Sequence, residues 1–184
     1  MSQSPDSWRA QLAQIRHYEN SVTRGPLTLA ARQLGRTRGF AAVYRRIGPV
    51  LDPKLAPLAN GRVLAKLYGF PMLMLHTTGA KSGEPRTSPL LYVRDSDDVL
   101  VLGTNFGQPK HPAWTANLRK HPGASIEIGP YRLDVTASEI QQPEWDVHFP
   151  DFVAVYPGYA NYLERRGDLV PLMFRLTPTK IPPR

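Results

Sequence analysis

The sequence predicts a mostly β domain with peripheral helices, its antiparallel strands closed into a small barrel behind a helical N-terminal third. Three observations predict it. Apolar residues recur every three or four positions through Ile47, and near Phe70 they give way to short strand-like runs. Turn residues, Asp95-Ser96-Asp97-Asp98 and Gly129-Pro130, separate consecutive runs as hairpin connections do. Few helical stretches interrupt the strands, and a short antiparallel sheet of this kind removes its exposed edges by closing on itself.

The elements follow in order. Trp8, Leu12, Ile15, Tyr18 and Val22 form one apolar stripe with Arg9 and Arg16 beside it, and Gly25-Pro26 ends that helix. Leu27–Leu34 reads as a second helix ending near Gly35, and Phe40, Val43, Tyr44 and Ile47 as a third, closed by Gly48-Pro49. Such basic stripes pack on their own domain or lie on a membrane, and the sequence leaves both open. Strands are expected over Met72–Thr78, Thr87–Arg94, Val99–Thr104, Ala124–Ile128, Tyr131–Ser138 and Val170–Leu176. A helix over His111–His121 opens with Pro112 in its first turn, and two more cover Glu144–Tyr156 and Tyr159–Arg166. The expected division is a basic helical extension over residues 1–66, a barrel domain over 67–178 and a tail over 179–184.

Composition narrows the function. The chain has 184 residues and no cysteine, which removes disulfides, thiolate metal sites and cysteine nucleophiles. No apolar stretch approaches the roughly 18 residues that a membrane-spanning helix needs, and the first residues lack the pattern of a secretory signal. A cytoplasmic location is expected, with association at the inner membrane face open through the basic helices. The whole net charge of +8 lies before Leu67: 11 Lys and Arg stand against 3 acidic residues there, and 12 against 12 after it. His17, His76, His111, His121 and His148 are scattered without metal-ligand spacing, so no metal is expected. There is no Gly-x-Ser-x-Gly elbow and no P-loop, because Ala80 separates Gly79 from Lys81-Ser82.

Three segments carry chemistry. Thr77-Thr78-Gly79-Ala80-Lys81-Ser82-Gly83-Glu84-Pro85-Arg86 joins two strand-like runs. Its glycines can expose backbone N–H groups while Lys81 and Arg86 supply positive charge, as an anionic tail requires; a solvated hairpin loop fits the same residues. Gly103 to Trp114 runs from a strand through a polar turn to a helix start, where amides favour an anion and Trp114 either faces a ring or anchors the core. Tyr156, Tyr159 and Tyr162 share roughly one helical face, where phenols can line a pocket and donate protons or simply form a half-buried stripe.

In this order the segments resemble the deazaflavin-dependent nitroreductase family, actinobacterial and mycobacterial enzymes built on a split β-barrel of the FMN-binding type that use reduced F420. The resemblance spans about Leu73 to Pro178 and includes Pro89-Leu90, His111-Pro112-Ala113-Trp114 and Asn117-Leu118. It implies that Lys81, Ser82 and Arg86 hold the phosphate and lactyl-glutamate tail of F420. Thr104 and Asn105 would approach the deazaflavin ring and Trp114 would support the turn, with Pro89, Leu91 and Gly107 completing the cofactor-binding set. Tyr156, Tyr159 and Tyr162 would line the substrate side, Tyr159 as proton donor and Tyr156 in reserve. The implied reaction is hydride transfer from the deazaflavin C5 to an electron-poor small molecule such as a quinone, an enone or a nitro-compound. Position 80, often basic in the family, is Ala80, and Phe106 replaces a glycine usual before Gly107. The alternatives are a non-catalytic carrier of a lipid or other hydrophobic ligand and a relative that binds FMN. Nucleic acid is not expected as a partner, and an oligomer is open.

Overall fold

The computed structural model describes residues 7–23, 71–166 and 168–179. The helices expected over Leu27–Leu34 and Phe40–Ile47 lie outside the described residues. The elements are α1 (Ser7–Thr23), β1 (Met72–Thr78), β2 (Pro85–Asp95), β3 (Asp98–Gly103), a 3-10 turn (Asn105–Gly107), α2 (Ala113–Lys120), β4 (Gly123–Ile128), β5 (Tyr131–Ile140), α3 (Glu144–Val155), α4 (Gly158–Arg166) and β6 (Leu172–Pro178). The six strands close into a barrel in the order β1-β2-β3-β6-β5-β4, every neighbouring pair antiparallel. Closure pairs β1 with β4, Leu75 opposite Ile126, and leaves no open edge.

Side chains alternate as a pleated strand demands, yet both faces of β2, β3 and β6 are buried. Leu73, Leu75, Tyr92, Val99, Val101, Ile126, Phe174 and Leu176 belong to the main core. The intervening Val93, Leu100, Leu102 and Met173 pack outward with Trp145 and Phe152 of α3 and Tyr159 of α4. This explains why β2, β3 and β6 read as near-continuous apolar runs. The last strand begins at Leu172 rather than Val170. Pro171 has no N–H to give a ladder, and its carbonyl accepts the Trp145 Nε1–H at 2.9 Å. Strand β2 starts at Pro85, two residues before the expected Thr87, because Thr78 and Pro85 still pair and leave a loop of Gly79 to Glu84. Pro112 precedes α2 as its N-cap instead of sitting in its first turn.

The barrel has two unlike ends. At one lie the β2–β3 turn, Asp95 to Asp98, and the β4–β5 turn, Gly129-Pro130. Helix α1 covers it: Leu12 is 4% exposed, Ile15 is fully enclosed, and both join the barrel core. Burying each such side chain contributes about 1.5–3 kcal/mol. Tyr18 lies over Gly129, where an added Cβ would stand 2.4 Å from the ring. Glu19 accepts the Tyr92 hydroxyl and pairs with Arg94 at 2.9 Å, while Arg16 pairs with Asp97 at 2.7 Å. On the outer wall Arg175 bridges Asp95, Asp98 and Glu144, which neutralises the acidic turn. The described part of the α1 stripe is therefore packed on its own domain. Among the described residues no helix is long and apolar enough to cross a membrane.

Candidate functional site

The other end of the barrel gathers all three chemistry-bearing segments. The β1–β2 loop is tight: Gly79 N–H donates to the Glu84 carbonyl at 2.8 Å and Gly83 N–H to the Gly79 carbonyl at 2.9 Å. Gly83 holds φ at 73°, a conformation that glycine adopts without penalty. The Glu84 N–H donates to Ser82 Oγ at 3.3 Å, and Arg86 Nη2 reaches the same oxygen at 3.4 Å. The loop is thus not the open cradle of amides that its composition suggests. Its carbonyls, Ser82 and a residue of α2 occupy four of its N–H groups.

That residue is Asn117, 7% exposed. Its Oδ1 accepts the Ala80 N–H at 2.8 Å and its Nδ2 donates to Thr77 Oγ1 at 3.0 Å. One turn further along α2, Lys120 Nζ donates to the Ala80 carbonyl at 2.6 Å. In the sequence Asn117 stands out only as part of the Asn117-Leu118 pair, and Lys120 does not stand out at all. Their i, i+3 spacing on one helical face was the available signal, but what they meet is decided forty residues away. Trp114 lies on the same helix, 5% exposed, and its ring meets Phe174 edge-on at 5.7 Å in the barrel core. Trp114 therefore anchors the helix and turns no face outward.

The turn after β3 is held in an uncommon backbone. Gly107 N–H donates to the Thr104 carbonyl at 3.0 Å and Asn105 Nδ2 to the Lys110 carbonyl at 3.2 Å. Asn105 and Phe106 both take positive φ, 47° and 55°. Asparagine tolerates this region, whereas a bulky aromatic there is an outlier. Phe106 thus holds a backbone region that glycine enters without penalty, and it stands 56% exposed. Thr104 is buried at the strand end, and α4 packs on the turn.

Helix α4 brings Tyr159 and Tyr162 to this turn, whereas Tyr156 precedes it as the extended C-cap of α3, so the three do not share one helical face as the spacing suggests. The rings of Tyr156 and Tyr159 meet edge-on at 5.5 Å, those of Tyr159 and Tyr162 at 6.0 Å, and Tyr159 rests on Phe152 at 5.9 Å. Gly158 leaves room for the Tyr156 ring, because a Cβ there would lie 2.3 Å from it and displace it. Leu91, outward on β2, packs in the same cluster, and Pro89 lies two residues before it on the same side of the strand. Tyr159 is 6% exposed. Among the described residues its hydroxyl has no hydrogen-bond partner, so the donor is unused within the ladder. Burial first, then the neighbouring phenols of Tyr162 and Tyr156, push its pKa above the usual value, which keeps the phenol protonated through the neutral range.

Charge separates this end from the rest of the barrel. Arg16, Arg94, Arg119, Arg132 and Arg175 each meet a carboxylate. Among the described side chains the cations that meet none are Lys81, Arg86, Lys110 and Lys120, on the two loops, the start of β2 and α2 at this end. Glu84, the loop's own carboxylate, pairs with none of them. A polyanion is what such an uncompensated group attracts.

A model of the F420H(2)-dependent quinone reductase family matches residues 55–176. The chain belongs to that family. An F420H(2)-dependent quinone reductase of Mycobacterium tuberculosis strain H37Rv is 37% identical over 123 residues, covering 62% of this chain and 79% of the relative. A solved F420-H2 dependent reductase, FDR-A, superposes with a TM-score of 0.53 at 34% identity, over 58% of this chain and 93% of that one. A chain solved as a domain-swapped dimer gives the same TM-score and identity over 79% of its length. The closed six-stranded barrel is accordingly the split barrel of F420-dependent oxidoreductases, and F420 is the cofactor of the family. The residues present fit an acidic-tailed cofactor: uncompensated cations on a rigid loop, a polar turn beside them, and a phenol ladder with an unused donor. Among the described residues no group of three or more His, Asp or Glu is arranged to hold a metal ion.

Proposed function

We propose that this chain reduces a quinone-class acceptor with F420H2, and that the tyrosine ladder is its acceptor wall. The observation that carries the proposal is one barrel end uniting the uncompensated cations of the β1–β2 loop with three clustered phenols. Reduced F420 supplies a hydride from its C5 position when bound. Lys81 and Arg86, with Ser82, hold the phosphate and lactyl-glutamate tail through charge-assisted hydrogen bonds. Thr104, Asn105 and Gly107 shape the turn beside the ring, with Pro89 and Leu91 on the β2 side. The flat apolar acceptor lies against Leu91, Tyr156 and Tyr162, which exclude water from it. Tyr159 gives its hydroxyl proton to the acceptor oxygen as negative charge develops there, and Tyr156 holds the neighbouring edge.

The test pairs binding with turnover. Titration should quench F420 fluorescence saturably, and F420H2 should be oxidised in the presence of a soluble naphthoquinone. Tyr159→Phe should bind F420 as the parent does while its turnover falls about 100-fold, the scale of a lost general acid. Unchanged turnover removes Tyr159 as donor. Absence of saturable F420 binding refutes the reading for this chain.

A further inference from the structure

We propose that Lys120 is a tail-binding cation of the anion site, delivered from the end of α2 to the place that Ala80 leaves without charge. This rests on the F420 reading above and adds a residue to it. The Ala80 peptide is bracketed from one helix: Asn117 accepts its N–H at 2.8 Å and Lys120 donates to its carbonyl at 2.6 Å. The ammonium of Lys120 is thereby held on the loop that carries Lys81 and leads into Arg86 at the start of β2. An ammonium has three donors, and the Ala80 carbonyl takes one of them. The other two remain for the oxygens of an anion, and the methyl side chain of Ala80 adds no competing group beside them.

Its neighbour shows that this charge is not merely part of a solvated helix end. Arg119 is closed into a pair with Glu139 at 2.6 Å, whereas Lys120, one residue on, meets no carboxylate. A cation in the last turn of a helix also complements the helix dipole, and that role would need only the charge. The contact with Ala80 needs the reach as well.

The probes are F420 and its deazaflavin–ribitol core lacking the phosphate and lactyl-glutamate tail, each titrated by fluorescence against the parent protein and its variants across a salt series. Lys120→Met keeps most of the apolar stem and removes the charge. It should weaken F420 about tenfold, the effect of one charge-assisted hydrogen bond. It should also flatten the dependence of log Kd on log salt by about one ion, and leave the tail-less core unchanged. Adding Ala80→Lys to Lys120→Met should recover most of the lost affinity. Parent-like F420 binding by Lys120→Met, equal weakening for the tail-less core, or no recovery in the double variant overturns the assignment. Failure of the parent itself to bind F420 overturns the cofactor reading instead, so the two failures are told apart.

Discussion

Replacing Asn117 separates the two things that residue does. In Asn117→Ala the Ala80 N–H and the Thr77 hydroxyl both lose their partner, at 2.8 and 3.0 Å in the intact protein. Each lost hydrogen bond costs about 1 kcal/mol, and the void left in a buried position adds up to about 1 kcal/mol more. The sum, about 2–3 kcal/mol, should lower the melting temperature by roughly 5–10 °C in a chain of this size. Asn117→Asp behaves differently. A carboxylate oxygen can still accept the Ala80 N–H, and the Thr77 hydroxyl can rotate to donate to the other. Stability should therefore fall less than in the alanine variant, the kept hydrogen bonds and the nearby Lys120 offsetting the desolvation of the new carboxylate. The new charge, however, lies on α2 against the loop that carries Lys81, on the side that Lys120 also reaches. At an effective dielectric of about 20 and a separation of roughly 8 Å it opposes a bound anion by about 2 kcal/mol, or a factor near 30 in Kd. Calorimetry and F420 quenching on the two variants read these effects separately. An aspartate variant that melts as early as the alanine variant refutes the hydrogen-bond exchange. One that melts like the parent and binds F420 like the parent refutes the loop as the anion site.

Other expectations follow from the same geometry. Gly158→Ala puts a methyl 2.3 Å from the Tyr156 ring and so forces the ring aside; F420 affinity should hold while quinone turnover drops at least tenfold, and parent-like turnover would exclude Tyr156 from the acceptor wall. Glu19→Ala strands Arg94 and the Tyr92 hydroxyl at the covered barrel end; a loss of about 3–5 kcal/mol in denaturant unfolding is expected, with earlier proteolysis within α1. The Arg119 hydrogen bond holds the Glu139 carboxyl below its ordinary 4.5. A depressed carboxylate stabilises the fold above its unfolded pKa and ceases to do so as pH falls through the folded one. The gap in unfolding free energy from urea titration between the parent and Arg119→Met should therefore be small at pH 7, about 0.5 kcal/mol for so exposed a pair, and close as the pH falls below 4.5. A gap that persists in acid would show that Arg119 acts through packing alone.

Much of the strand set was legible because a strand is a local pattern. Met72–Thr78 is bounded as the alternation and its turn residues predict, and the others differ by a few residues at their ends. The exceptions have tertiary causes. Val170 falls outside β6 because Trp145 takes the Pro171 carbonyl, and β2 gains Pro85 because its partner Thr78 is still in register. The site was legible as three separate segments and opaque in how each is used. Trp114 left two roles open, and its contact with Phe174 commits it to the core. The β1–β2 loop promised amides, yet Gly79, Ala80, Gly83 and Glu84 all have acceptors inside the protein.

Residue order by itself determined that a barrel forms, where its hairpins turn, and which short segments carry cations and phenols, since period, turn propensity and side-chain chemistry are properties of neighbours in sequence. It also determined that positive charge is present near the loop. Only the folded chain decided which charges remain uncompensated there. Pairing depends on distance, and Arg119 reaches Glu139 while Lys120 reaches Ala80, from adjacent positions on one helix. The same holds for Tyr159: its sequence spacing makes it a phenol on a stripe, and only the folded chain buries it among Phe152, Tyr156 and Tyr162.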